Sequence, residues 1–121
     1  MTFAANHLIR RVHIGASALL AFIAVAHIAL TRPMYGSWTP DAVWFLGTGM
    51  GLLPLAALNY SHIGIQPCQM PTTRLVRIAN WIYVAFGVSA VWAVPEPQAF
   101  AVLACLGTQE VASRWTLPGP A

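Results

Sequence analysis

The stretch AVWFLGTGMGLLPLAALNY, from Ala42 to Tyr60, decides the fold class, because none of its nineteen residues carries a charge. At 1.5 Å per residue, a helix of this length is about 28 Å long, close to the ~30 Å thickness of a membrane's hydrocarbon core. Uncharged apolar runs of this length are typical of transmembrane helices. The stretch therefore predicts a helix that crosses a membrane.

The composition of the whole chain agrees with this prediction. Hydrophobic residues make up 58% of the 121 residues and charged residues only 7%, against roughly 25% charged residues in soluble domains. A chain this short cannot bury so much apolar surface in a water-soluble core. The composition excludes intrinsic disorder, nucleic-acid binding and a disulfide scaffold, and predicts one transmembrane domain over residues 1–121.

Four apolar segments divide the chain. Thr39-Pro40-Asp41 begins the second segment with an N-cap, a first-turn proline and an acid, and Pro95 and Pro97 separate the last two. These signals predict an all-α bundle of four transmembrane helices with spans at about 12–31, 41–60, 75–94 and 97–114. The fourth segment is the least apolar, because it contains Glu110.

The arginines predict the orientation of the bundle. Four spans place five of the six arginines on one side of the membrane, namely Arg10, Arg11, Arg74, Arg77 and Arg114. The other side holds Arg32 with two acids, Asp41 and Glu96. By the positive-inside rule, this split predicts both termini in the cytoplasm and a multi-pass protein of the cell inner (plasma) membrane.

Small residues mark the middle of the second segment. Gly47 and Gly51 are four residues apart, a spacing that lets a neighbouring helix backbone approach closely. Pro54 removes a helical hydrogen bond and should kink the helix. We expect these three residues to serve helix packing, and the alternative is a hinge or broken helix that lines a binding site.

Polar residues in the spans collect at the arginine-rich side. They are His13, Asn59, His62, Arg77, Asn80 and Glu110, with Gln109 preceding Glu110. Ionisable groups inside a membrane are costly and often functional, so the sequence predicts a polar cleft on the cytoplasmic side. The cleft hypothesis places Arg77 within ion-pair distance of Glu110, or both in a cluster with Asn80 and His13. The alternative is that these side chains only reach the headgroup layer.

No catalytic or metal-binding pattern occurs in the sequence. It has no paired carboxylates, nucleophile elbow or phosphate-binding glycine loop, so we expect no enzyme activity, no metal site and no cofactor. His13 and His27 are fourteen residues apart and share a helix face, as in di-haem membrane cytochromes. Only His62 is available as a partner on another helix, so one haem b between His13 and His62 is the alternative.

One short pattern resembles small uncharacterised bacterial membrane proteins. The pattern is Trp44-Phe45-Leu46-Gly47-Thr48-Gly49, an apolar stretch that ends at Leu58-Asn59, and the preceding pair His27-Ile28. It covers about residues 24 to 60. The resemblance implies four helices and no particular activity.

Three functions remain open on the sequence alone. The first is a non-enzymatic membrane protein, either an accessory subunit or a binder of a lipid or other apolar ligand. Its partners would be membrane lipids, a larger membrane complex or a second copy of the chain. The second is a small dimeric proton-coupled transporter that uses Glu110, comparable in size and helix number to the small multidrug resistance transporters, whose glutamate lies in the first helix. The third is a haem-carrying membrane anchor.

Overall fold

A computed structural model of the protein describes residues 3–63 and 70–115. These ranges form four helices and contain no strand: α1 (Phe3–Tyr35), α2 (Pro40–His62), α3 (Met70–Ala93) and α4 (Pro97–Trp115). The all-α class and the number of helices are confirmed.

The ends of α1 and α2 follow from local sequence. The first helix has 33 residues and begins well before the predicted span, since residues 3–11 contain no glycine or proline. It ends at Gly36, whose φ of 66° is the left-handed conformation that glycine adopts most easily. The predicted cap of α2 is confirmed, because the Thr39 hydroxyl accepts a hydrogen bond from the Ala42 amide at 3.2 Å.

Three helices are long and apolar enough to cross a membrane. The qualifying segments are Asn6–Tyr35, Pro40–His62 and Thr72–Ala93. The fourth helix has 19 residues, but its last turns carry Gln109, Glu110 and Arg114, which lower its hydropathy. The molecule is therefore a helical membrane protein with at least three segments suited to spanning.

The helices alternate in direction, and α1 makes the most extensive packing contacts. It packs along both α2 and α4, while α3 packs mainly on α4 and touches α2 only lightly. Five arginines occupy one end of this up-and-down bundle, which we call the arginine-rich end; they are Arg10, Arg11, Arg74, Arg77 and Arg114. The order around the bundle is thus α2, α1, α4, α3, with the loosest seam between α2 and α3.

Apolar side chains cover the outside of the bundle as well as its centre. The buried core joins α1, α2 and α4 through Leu20, Ala24, Leu52, Leu55, Ala56, Cys105 and Leu106. Large side chains on the surface are also apolar: Phe22 is 70% exposed, Trp44 72% and Trp92 90%. A surface of this kind is suited to lipid.

The close approach between α1 and α2 occurs at Gly49 rather than at Gly47. A Cβ at Gly49 would lie 2.7 Å from the carbonyl oxygen of Ala24, so only glycine fits. Gly47 is exposed, and a Cβ there would meet nothing within 4 Å. The predicted packing role of Gly47 is therefore wrong. Gly49 lies on the buried face of α2 midway between Ala42 and Ala56, each seven residues away.

Gly51 makes a different contact from the one predicted. The Tyr83 hydroxyl of α3 donates a hydrogen bond to the Gly51 carbonyl at 2.9 Å, and a Cβ on Gly51 would lie 2.8 Å from that hydroxyl. Gly51 thus admits a tyrosine side chain instead of a helix backbone. Pro54 lies inside α2 on its exposed side.

Alanine substitutions at the two glycines should have opposite effects on stability. Gly49→Ala should destabilise the protein by about 1–3 kcal/mol, because the new methyl group meets backbone that cannot move aside cheaply. Gly47→Ala should leave it unchanged or more stable by up to about 1 kcal/mol, since alanine favours helix and has open space there. Unfolding in mixed detergent micelles, followed by circular dichroism, measures both. Equal losses would show that α1 and α2 do not pack at Gly49.

Candidate functional site: a buried polar layer

Eight polar side chains from all four helices meet inside the bundle near its arginine-rich end. This polar layer consists of His13 and Ser17 from α1, Asn59 and His62 from α2, Asn80 from α3, and Gln109, Glu110 and Ser113 from α4. None is more than 8% exposed. Five of these residues belong to the predicted cleft, and a sixth, Gln109, is predicted beside them; the structure brings all six into one layer.

Asn59 is the centre of the layer. Its amide nitrogen donates to Asn80 Oδ1 at 2.7 Å, and the amide nitrogen of Asn80 donates back to Asn59 Oδ1 at 3.0 Å. Asn59 Oδ1 also accepts a hydrogen bond from His13 Nε2 at 3.3 Å, while Asn59 Nδ2 donates to the carbonyl of Leu55. One asparagine therefore links α1, α2 and α3.

Ser113 and Ser17 make the hydrogen-bond contacts that join α4 to α3 and to α1 within the layer. Asn80 Nδ2 lies 3.5 Å from Ser113 Oγ, and the Ser113 hydroxyl donates to the Glu110 carbonyl at 2.9 Å. Gln109 Nε2 donates to Ser17 Oγ at 3.3 Å. Hydrogen bonds within the layer thus connect all four helices.

Helical spacing explains how so few residues build the layer. Ser17 follows His13 by four residues, and Ser113 follows Gln109 by four, so the members of each pair lie on one helix face. Ser17 and Ser113 are not among the predicted site residues. Their spacing from His13 and Gln109 was the available signal, since serine alone in a membrane helix is unremarkable.

Arg77 lies outside the layer. It is exposed, and Glu110 instead forms an ion pair with Arg114, whose guanidinium lies 2.7 Å from Glu110 Oε1. The Arg114 guanidinium also lies 5.8 Å from the centre of the Trp81 ring. The expected pairing of Arg77 with Glu110 is therefore wrong. Arg114 is four residues from Glu110 on the same helix, a spacing that places the two side chains next to each other.

Three buried atoms of the layer have no hydrogen-bond partner within the described part of the chain. They are His62 Nδ1, Gln109 Oε1 and Glu110 Oε2. Buried polar atoms in native proteins nearly always have a partner, and ordered water commonly supplies it. The layer therefore has capacity for water or for the polar group of a ligand.

The histidines separate into two groups. The rings of His13 and His62 lie 6.3 Å apart in the layer, whereas His27 stacks on Phe45 at 4.3 Å towards the other end. Residues 3–63 and 70–115 contain no group of three His, Cys, Asp or Glu placed to hold a metal ion. The haem b alternative at His13 and His62 remains a prediction.

Apolar grooves lie between neighbouring helices. The groove between α1 and α4 has a volume of about 440 Å³ and is lined by Leu8, Ile9, Val12, Gly107, Thr108, Val111, Ala112 and Trp115. A second, of about 350 Å³, lies between α2 and α3 and includes Gly47, Gly51 and Tyr83. A third, of about 220 Å³, follows α1 and α2. The α1–α4 groove lies nearest the arginine-rich end.

Leucine substitutions at Arg114 and Arg77 should show which of the two arginines forms an ion pair with Glu110. Arg114→Leu should destabilise the protein by about 1–2 kcal/mol, because it leaves the buried Glu110 carboxylate without its partner. Arg77→Leu should change stability by less than about 0.5 kcal/mol, since the side chain is exposed. Unfolding in mixed micelles provides the measurement. Glu110→Gln should restore stability to the Arg114→Leu variant, and failure of that rescue would contradict the pairing.

Comparison of the chain with protein-family models, with curated proteins and with solved structures finds no match in any of the three.

Proposed function

We propose that this protein is a small, non-enzymatic integral membrane protein that binds a lipid or another apolar ligand within the bilayer. It spans the inner (plasma) membrane four times, with both termini in the cytoplasm. Its exposed apolar surface suits contact with lipid, with a second copy of the chain or with a larger membrane complex. In such a complex it would act as an accessory subunit.

The groove between α1 and α4 carries this proposal. Its volume of about 440 Å³ falls within the ~300–1,000 Å³ of typical ligand pockets. Gly107 lines it, and a Cβ at Gly107 would meet nothing within 4 Å. A glycine inside a helix costs about 0.5–1 kcal/mol relative to alanine, and packing does not require this one. An occupant of the groove would account for the open space.

The four-span orientation rests on the arginines and on the neighbours of α4. Five arginines and one acid, Glu110, lie at one end, whereas the other end holds Arg32 with Asp41 and Glu96. This asymmetry favours a cytoplasmic arginine-rich end. The fourth helix packs against α1 and α3, two helices that are suited to spanning, and three of its polar residues, Gln109, Glu110 and Ser113, are buried.

Reporter fusions test this topology. A fusion after Ala121 and one in the segment 64–69 should report cytoplasm, and a fusion after Ser37 should report the opposite compartment. Alkaline phosphatase and green fluorescent protein provide complementary readouts. Phosphatase activity from the fusion after Ala121 would remove the fourth span from the proposal.

Native mass spectrometry of the untagged protein in mild detergent tests the binding function. The wild type should retain about one lipid or apolar molecule, and Gly107→Leu should lose at least tenfold in occupancy, because leucine fills the groove without a clash. Gly47→Leu is the matched control, since Gly47 lines the α2–α3 groove and also has open space. Equal retention by wild type and Gly107→Leu would exclude binding at this groove.

A proton-coupled transporter is the second candidate, and Glu110 favours it. This carboxyl group is buried, and its Oε2 atom has no partner within the described residues. A proton carrier in a membrane needs such a group. Proton flux into liposomes that depends on the protein and disappears in Glu110→Gln would favour transport, whereas flux equal to that of empty liposomes would exclude it.

A further inference from the structure

We infer that the polar layer binds ordered water that enters from the arginine-rich end, and that the apolar core closes the layer on its other side. None of the eight residues of the layer lines the α1–α4 groove. Hydration of the layer therefore does not depend on the proposed binding function.

Three buried side chains of the layer need a hydrogen-bond partner that the described part of the chain does not supply. Gln109 is fully buried, and its Nε2 atom donates to Ser17, which leaves Oε1 as an acceptor without a donor. Glu110 Oε1 accepts hydrogen bonds from Arg114, which leaves Oε2 in the same condition. His62 Nδ1 is the third such atom. Because unpaired buried polar groups are costly, each of these atoms favours uptake of a partner.

Hydrogen-bonding chemistry favours water over a cation as this partner. Gln109 Oε1 and the carboxylate of Glu110 only accept hydrogen bonds, whereas His62 Nδ1 accepts or donates, depending on the tautomer. Water can donate to the first two atoms and can serve His62 in either tautomer. An ammonium group or a metal ion cannot serve a protonated Nδ1. It would also bring a buried charge beside a carboxylate that Arg114 already neutralises.

Packing around the layer favours a small partner over the headgroup of a lipid. The three grooves described above are lined mainly by apolar side chains, and none of them includes Gln109, Glu110 or His62. Of the eight layer residues, Ser17 alone lines one of these grooves. A lipid in a groove would therefore not contact the side chains that carry the unpartnered atoms, whereas a water molecule needs no groove to reach them.

The layer is slightly exposed on the side of the arginine-rich end. His62, Glu110 and Ser113 lie closest to the ends of α2 and α4 among the layer residues of these helices, and they are 4–8% exposed. Asn59 and Gln109, which precede them on the same helices, are 0% exposed. Exposure thus decreases from the end of the bundle towards its middle, and water reaches the layer from that end.

On the other side of the layer, the centre of the bundle is apolar. Leu20, Leu52 and Leu106, which we call the three core leucines, come from α1, α2 and α4 and are fully or almost fully buried. Their side chains offer water no hydrogen bond, and apolar interiors of proteins stay dry. All residues between Ser17 and His27 on α1 are apolar, a stretch of about 15 Å of helix. The core therefore separates the hydrated layer from the opposite end.

Nuclear magnetic resonance of the isotope-labelled protein in phospholipid nanodiscs detects bound water directly. Magnetisation transferred from water should reach the side-chain amide of Gln109 and the ring of His62, and it should not reach the methyl groups of the three core leucines. His27 is the matched control, because its Nδ1 atom lies 2.9 Å from the Ile23 carbonyl oxygen and already has a partner. Absence of transfer to both Gln109 and His62 would overturn the inference, and so would transfer to the core leucines that equals transfer to the layer.

A pair of variants tests the core as the barrier to water. Leu20→Asn places an amide at a fully buried position three residues from Ser17, and transfer from water should then extend to the methyl group of Ala24. Leu19→Asn places the same amide at an exposed position and should leave the core dry. Leu20→Thr is the smaller change if Leu20→Asn fails to fold. A core that stays dry in every variant would show that the leucine side chain is not the barrier, which overturns the second half of the inference.

Proton flux distinguishes a layer that is open at one end from a path through the bundle. Liposomes that contain the wild type should show no more proton flux than empty liposomes, because the core interrupts any chain of water molecules. Flux that disappears in Glu110→Gln would show that the layer opens to both sides, and it would overturn the closure by the core. Lipid retention by Gly107→Leu tests the groove separately, so failure of the proposed binding function and failure of this inference are distinguishable.

Discussion

The reciprocal hydrogen bonds between Asn59 and Asn80 are the interaction on which the rest of the bundle depends. In a bilayer, lipid chains are as apolar as leucine, so burial of apolar side chains gives little preference for one helix arrangement over another. Paired amides do discriminate, because any shift of α2 along α3 breaks both amide–amide hydrogen bonds in a low-dielectric interior. Since α2 and α3 otherwise touch only lightly, this pair and the hydrogen bond from Tyr83 to Gly51 fix their register.

The other seams of the bundle rely on shape. Along α1 and α2, small residues recur every seven positions on the buried face of α2, at Ala42, Gly49 and Ala56. This is the repeat of left-handed helix pairs, in which small residues let the backbones approach. The α1–α2 contact therefore resembles close-packed membrane helix pairs, whereas the α2–α3 contact is polar. The two kinds of contact lie on different sides of one helix, which explains why α2 needs both Gly49 and Gly51.

The sequence predicts the depth of a residue in the membrane better than the direction in which its side chain points from the helix. Hydropathy and charge gave the four helices and the depth at which polar residues meet, and hydrogen bonds at that depth join the helices. Depth alone does not show which way a side chain faces: Asn80 is buried, while Arg77, three residues earlier, is exposed. The same limit explains the wrong prediction at Gly47. Its four-residue spacing from Gly51 matches a helix-packing pattern but does not show which face of α2 contacts α1. The seven-residue spacing of Ala42, Gly49 and Ala56 would have identified the correct face.

The polar layer and the α1–α4 groove both involve α1 and α4, but they use different faces of α4. On α4, the buried face carries Gln109 and Ser113, which the layer requires, and the groove face carries Gly107 and Val111. Because the layer already links α4 to α1 and α3 through hydrogen bonds, the groove side of α4 need not be packed for the bundle to hold together. An open groove is then compatible with stability, and Gly107 can keep it open at a cost of about 1 kcal/mol or less. A bundle held together only by side-chain packing would have to fill that space. The same buried amides that specify the helix arrangement therefore leave an apolar groove free at the arginine-rich end.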